Sequence, residues 1–220
     1  MKQQTEKTRR PILGANAKRV LCETAATLLS PRASKRAAEK RAAHNALQPV
    51  QGRYIFSQHK DAAHAVQFGK GDISGHGCGA IAAYNLLTDM GMQPQLHELL
   101  YRAERVGLPV AGGRLGSHPR RIGRLLAAYG TATQYYAHEA DFLQQFAAGE
   151  RAVVCYWHAA ADVWQGLHFV YIRAAQPPFC ATVYNSLWRG HSDRPLHLHT
   201  ADELWKKGVF LCAWKVTDGN

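Results

Sequence analysis

At 220 residues the chain fits one medium domain plus an added segment, and 46% hydrophobic with 20% charged residues is a globular balance rather than a disordered one. No apolar run approaches the roughly 18 residues of a membrane span, and Lys18, Arg19 and Glu23 break the stretch from Pro11 to Leu29, so the amino terminus does not read as a secretory signal. The formal charge of +11 is concentrated in residues 1–48, which hold eleven Lys/Arg against three Asp/Glu; such a basic arm can contact an anionic partner or stay a solvated face.

Residues 1–10 are polar and read as disordered. Ser30-Pro31 reads as a helix start, and Arg32–Leu47 is rich in Ala, Lys, Arg and Glu, good helix formers whose apolar side is thin. The division falls near residue 50, giving a basic extension over 1–50 and a main domain over 51–220. Arg53–Ser57 reads as a short strand. Five glycines between Gly69 and Gly79 mark a loop whose backbone approaches something closely. Helices follow over Cys78–Met90, Gln95–Val106 and from Ser117-Pro119 to Tyr129, each with apolar residues at helical spacing. The Gly112–Gly116 turn between the last two reads as a cleft loop or a plain turn.

Beyond Gly130 the period changes. Thr131–Tyr136, Ala152–Trp157, His168–Arg173, Ala181–Tyr184 and Val209–Val216 read as strands, with a short helix over Ala140–Ala148. Thr200 and Glu203 form a capping box for another short helix. Helices first and a mostly antiparallel sheet second is an α+β layout.

The five cysteines, Cys22, Cys78, Cys155, Cys180 and Cys212, are odd in number and form no Cys-x-x-Cys pair. Neither a disulfide framework nor a thiolate zinc site is indicated, so a reducing, cytoplasmic protein is expected. His191, His197 and His199 lack a third ligand at useful spacing and read as surface histidines. No metal or organic cofactor is implied.

Cys78 carries the chemistry. It follows a glycine turn and opens a helix, where unpaired N–H groups and the helix dipole favour a thiolate. His168 lies in a strand-like run and Asn185 at a strand end, in the order Cys, His, Asn. Gly77-Cys78-Gly79 with Ala83 and Asn85, His168 before Phe-Val-Tyr, and Asn185-Ser186 with Trp188 close after resemble the papain-like cysteine peptidases. The compact bacterial branch that includes bacteriocin-leader-processing peptidases is the part most similar, over roughly residues 52–217. The resemblance implies a Cys78 helix packed on the sheet, with His168 as general acid and base. It implies Asn185 orienting the imidazole, Trp188 shielding that bond, and a peptide or amide substrate processed through an acyl-enzyme. An acyltransferase using the same triad is equally compatible.

Two features depart from that pattern. The separation of 90 residues between Cys78 and His168 is shorter than the roughly 130–150 of papain, as in a trimmed fold. The position six residues before the nucleophile, where papain relatives carry the glutamine of the oxyanion hole, is Asp72. Ser74, His76 and Gln67 are the candidates to replace it. Failing that, the domain is a degenerate peptide-binding module, and the extension could act as an inhibitory propeptide.

Overall fold

The computed structural model describes residues 14–48, 53–60, 65–158, 166–175, 180–186, 194–200, 203–204 and 208–217. Two helices open it, α1 (Ala15–Leu29) and α2 (Lys35–Ala46). Ser34, not Ser30, caps α2, its hydroxyl accepting the Ala37 amide at 3.3 Å. Helix α1 lies in the stretch that sequence reading treated only as a failed signal peptide. The segment around Ile55 is no strand: its N–H and C=O bond the Asn85 side chain at 2.9 and 2.8 Å.

The glycine-rich stretch folds as a hairpin of β1 (Gln67–Phe68) and β2 (Gly71–Asp72), then a single-turn helix, α3 (Ile73–His76). What its backbone approaches is the turn at Gly112 and Gly113. A Cβ on Gly69 would stand 2.3 Å from the Gly112 carbonyl oxygen, and one on Gly113 1.9 Å from that of Phe68. Two main chains meet there without side chains between them.

Helix α4 (Cys78–Asp89) is buried on every side apart from its last residue, so its apolar residues need no periodic face. Fully burying Ile81, Leu86 and Leu87 contributes about 1.5–3 kcal/mol each. Helix α5 (Leu96–Val106) is amphipathic, burying Leu96, Leu99, Leu100 and Ala103, and stops at Gly107 in the left-handed region (φ 74°). After a 3-10 turn at Pro119–Arg121 comes α6 (Ile122–Ala127).

The sheet comprises β3 (Thr133–Tyr136), β4 (Arg151–Trp157), β5 (Leu167–Ala174), β6 (Ala181–Tyr184), β7 (Leu196–Leu198) and β8 (Val209–Val216). Their order is β3-β8-β4-β5-β6-β7, antiparallel throughout. Strand alternation sorts the core into two layers. Val153, Cys155, Phe169 and Tyr171 face the helices, whereas Val154, Val170 and Ile172 pack with Phe142 of α7 (Glu139–Gln144). The fold is α+β, with the Cys78 helix against the sheet, as the sequence indicates. Strand β7 holds two of the positions around His197 that carried no strand signal. The short helix read after Thr200 lies partly outside the described residues, although Glu203 does accept the His199 amide at 2.9 Å.

Helices α1 and α2 are fastened to the rest of the fold by several polar contacts. Arg41 grips both carboxylate oxygens of buried Glu104, which also accepts the Gly69 amide at 3.1 Å. Asn45 bonds both main-chain groups of Gln67 at 2.8 and 2.9 Å. On α1, Glu23 receives the Tyr135 hydroxyl and pairs with Arg120 at 3.0 Å. Among the described residues no helix is long and apolar enough to cross a membrane.

Candidate active site

Cys78 is the first residue of α4, with Gly77 as its N-cap. A side chain at Gly77 would collide with Ile73, a Cβ there lying 2.3 Å from its Cγ1, so only glycine lets α3 turn directly into α4. The sulfur is stabilised by the amides of Phe169, Gly79 and Cys78 itself, yet burial outweighs them and pushes the thiol up to about 11. The helix start therefore does not produce the low-pKa thiol that the sequence argument favoured. The amides lower it, but desolvation wins because the residue is only 6% exposed.

Strand β5 brings His168 to the same place. Cys78 and His168 line one cavity of about 750 Å³, and the thiol faces the amide of Phe169, the residue following His168. The imidazole Nε2 meets the main-chain carbonyl of Asn185 at 2.7 Å. A carbonyl only accepts, so Nε2 carries the proton and Nδ1 is the ring's basic nitrogen. Burial brings His168 down to about 4, against the opposing pull of the Asn185 carbonyl. At neutral pH the pair is thus thiol and imidazole, not thiolate and imidazolium. The bonds of each group run to the protein: sulfur to the Phe169 amide, ring to Asn185.

Asn185 holds the ring through its main-chain carbonyl and not through its carboxamide. With φ 61° it occupies the left-handed region, which Asn enters more readily than most residues. Its side chain is committed elsewhere: Oδ1 accepts the Gln58 amide at 3.0 Å and Nδ2 donates to Gln58 Oε1 at 3.1 Å. Gln58 Nε2 in turn donates to the Ser74 carbonyl at 2.7 Å. Gln58 is buried and lines the Cys78 cavity. Gln58 precedes Cys78 by 20 residues, outside the stretch from Gln67 to His76 in which the sequence offered candidate donors, and the β1-β2 hairpin and α3 lie between them in the chain.

Asp72 is occupied as the cap of α3, accepting the Gly75 amide at 2.7 Å and the Ser74 hydroxyl. The Ser74 bond leads in holding its carboxyl below the usual range. Its charge serves that turn and does not line the cavity. Of the three substitutes for an oxyanion donor, His76 lines the cavity, but Ser74 and Gln67 do not. Gln67 sits on β1 against Asn45, and the Ser74 hydroxyl is spent on Asp72. Trp188 and His191 lie outside the described residues. No group of three or more metal-binding side chains is gathered among the described residues.

The opposite wall of the cavity comes from α1, through Leu21, Cys22, Ala25, Ala26 and Leu29. Lys18, buried on the same helix, places its ammonium 5.4 Å from the centre of the Trp157 ring.

No protein-family model matches the chain, and no curated protein matches it. A solved structure of a double glycine motif protease from an AMS/PCAT transporter, in complex with the leader peptide, is similar at 15% identity and a TM-score of 0.43. The similarity spans 64% of this chain and 84% of that one.

Proposed function

We propose that this protein is a papain-like thiol hydrolase acting on a peptide or amide carbonyl, with Cys78 as nucleophile and His168 as general base and acid. The observation that carries the reading is the shared cavity: a cysteine at a helix start and a histidine locked in one tautomer by a neighbouring carbonyl. In the reaction, Nδ1 of His168 takes the thiol proton as Sγ bonds the carbonyl carbon. The proton then passes to the leaving nitrogen, the C–N bond breaks, and a thioester remains. Water, deprotonated by the same nitrogen, attacks the thioester and releases the acid and the thiol. Cys78 and Gln58 both line the cavity, and in this reading the Cys78 amide and the second N–H of the Gln58 carboxamide serve the oxyanion, where one donor is worth about a hundred- to thousandfold in rate.

Because the resting pair is neutral, the proton moves during attack and not before it. An N-acetyl-dileucyl vinyl sulfone should label the protein at Cys78 near pH 7.5, with Cys78→Ala unlabelled and His168→Ala slowed at least a hundredfold. Equal labelling of Cys78→Ala would eliminate this site.

A second reading, a peptide-binding module that does not cut, draws on the same thiol pushed up to about 11 and imidazole brought down to about 4. It requires that the probe react with Cys78 no faster than with free cysteine. An amine in place of water would make the same site an acyltransferase, seen as aminolysis of a thioester substrate.

A further inference from the structure

We propose that Ser117 is a substrate-anchoring hydroxyl that sets what the Cys78 cavity accepts, an assignment that rests on the cavity being the substrate site. Ser117 is 1% exposed, and its Oγ has no hydrogen-bond partner in the protein. It lines the same cavity as Cys78, His168 and Gln58. Buried hydroxyls are nearly always paired, and an unpaired one carries a desolvation penalty in the free protein. A group supplied from outside would remove that penalty.

The segment is fixed by its main chain and not by this side chain. Ser117 opposes Pro109 in an isolated bridge, flanked by Val110 N–H to the Gly116 carbonyl at 2.9 Å and His118 N–H to the Leu108 carbonyl at 2.8 Å. The side chain rests against the first turn of α4. A Cβ on Gly79 would stand 2.6 Å from the Ser117 Cβ and 2.7 Å from its Oγ, so Gly79, next to Cys78 in the chain, is what lets the hydroxyl come this close to the start of α4. Most of the cavity's exposed lining is hydrocarbon, from Leu21, Ala25 and Leu29 of α1 and from Val110 and Leu115, and the rest includes Gln58 and four histidines.

A largely apolar cavity that holds an unpaired buried hydroxyl and a thiol points to a particular chemistry. The ligand is an apolar peptide segment whose side chain fills the recess while one of its amide groups pairs with Oγ. The hydroxyl both donates and accepts, so it suits either face of an amide.

The test uses the full chain carrying Cys78→Ala, so that binding is read without reaction. N-acetyl-dileucyl N-methylamide is titrated while tryptophan fluorescence is followed, and the same is done with Ser117→Ala added; the thermal midpoint of each free protein is recorded. Removing the hydroxyl should raise Kd roughly threefold to tenfold, and the midpoint should hold or rise because an unpaired buried group has gone. An unchanged Kd, a lowered midpoint without a change in Kd, or no saturable binding by the Ser117 protein would overturn the assignment. Loss of the covalent labelling described above with the Kd shift intact would remove the hydrolase reading and leave Ser117 standing as an anchor.

Discussion

His168 illustrates how one residue's surroundings override its intrinsic chemistry. Free imidazole is half-protonated near pH 6.5, but burial brings this ring down to about 4. A folded-state value below the unfolded one means that the unfolded chain binds the proton first. Stability is therefore undiminished above about pH 6.5 and is lost as pH falls from there towards 4, at up to about 1.4 kcal/mol per pH unit. His118 shifts in the same direction, also through burial first, with Arg121 adding to it. Urea midpoints measured at pH 7.5 and pH 5 should differ accordingly, and His168→Gln should shrink the difference. Identical pH dependence in that variant would show that His168 does not titrate as described.

The same scale shows what sequence could and could not carry. Cys78, His168 and Asn185 were legible because residue type and order in the chain survive without coordinates. The part Asn185 plays was not, since whether its carbonyl or its carboxamide meets the ring depends on a left-handed φ. Gln58 was illegible for a different reason. It lies 20 residues before the cysteine, across the β1-β2 hairpin and α3, and only the fold brings it to the Cys78 cavity. Asp72 looked hostile to an oxyanion on spacing alone, and only its bonds to Ser74 and Gly75 show where its charge is spent.

Among the elements, the interior strands and α4 to α6 were readable from periodicity, whereas α1 was not. Its apolar residues are interrupted by Lys18 and Glu23, which a sequence reading treats as solvent-facing. Both turn inward here: Lys18 over Trp157, Glu23 onto Tyr135 and Arg120. Helix α2, whose apolar side is thin in the sequence, docks through a buried ion pair. Glu104 is 2% exposed, and the Arg41 guanidinium, raised above its ordinary value chiefly by hydrogen bonding to that carboxylate, neutralises it. Arg41→Met should lower unfolding free energy by about 3 kcal/mol, because the carboxylate stays buried without its cation. Glu104→Gln added to Arg41→Met should recover part of that loss. Chemical denaturation of the single and double variants checks both, and a cost below about 1 kcal/mol for Arg41→Met would show that the pair behaves as a surface one.

Over the whole molecule, the N-terminal helices and the cleft form one structure. Thr27 links α1 to His118, whose Nδ1 accepts the Arg120 amide; its Nε2 therefore carries the proton towards Thr27. Glu23 fastens the other side. Releasing it should loosen the wall opposite Cys78: Glu23→Ala is expected to speed hydrogen exchange along α1 and to make Cys22, now pushed up to about 11 mainly by burial, react faster with a small disulfide reagent. Unchanged exchange along α1 would mean that apolar packing alone holds the helix.

The order of the sheet has a consequence for the protein in concentrated solution. Its long strands, β4, β5 and β8, with seven or eight residues each, are interior, and the two outermost, β3 and β7, have four and three. Among the described residues, a second copy seeking to extend the sheet would find only a few open rungs on either flank, too few to hold it firmly. The long strands that could template such an addition are already paired on both sides, before any surface charge contributes repulsion.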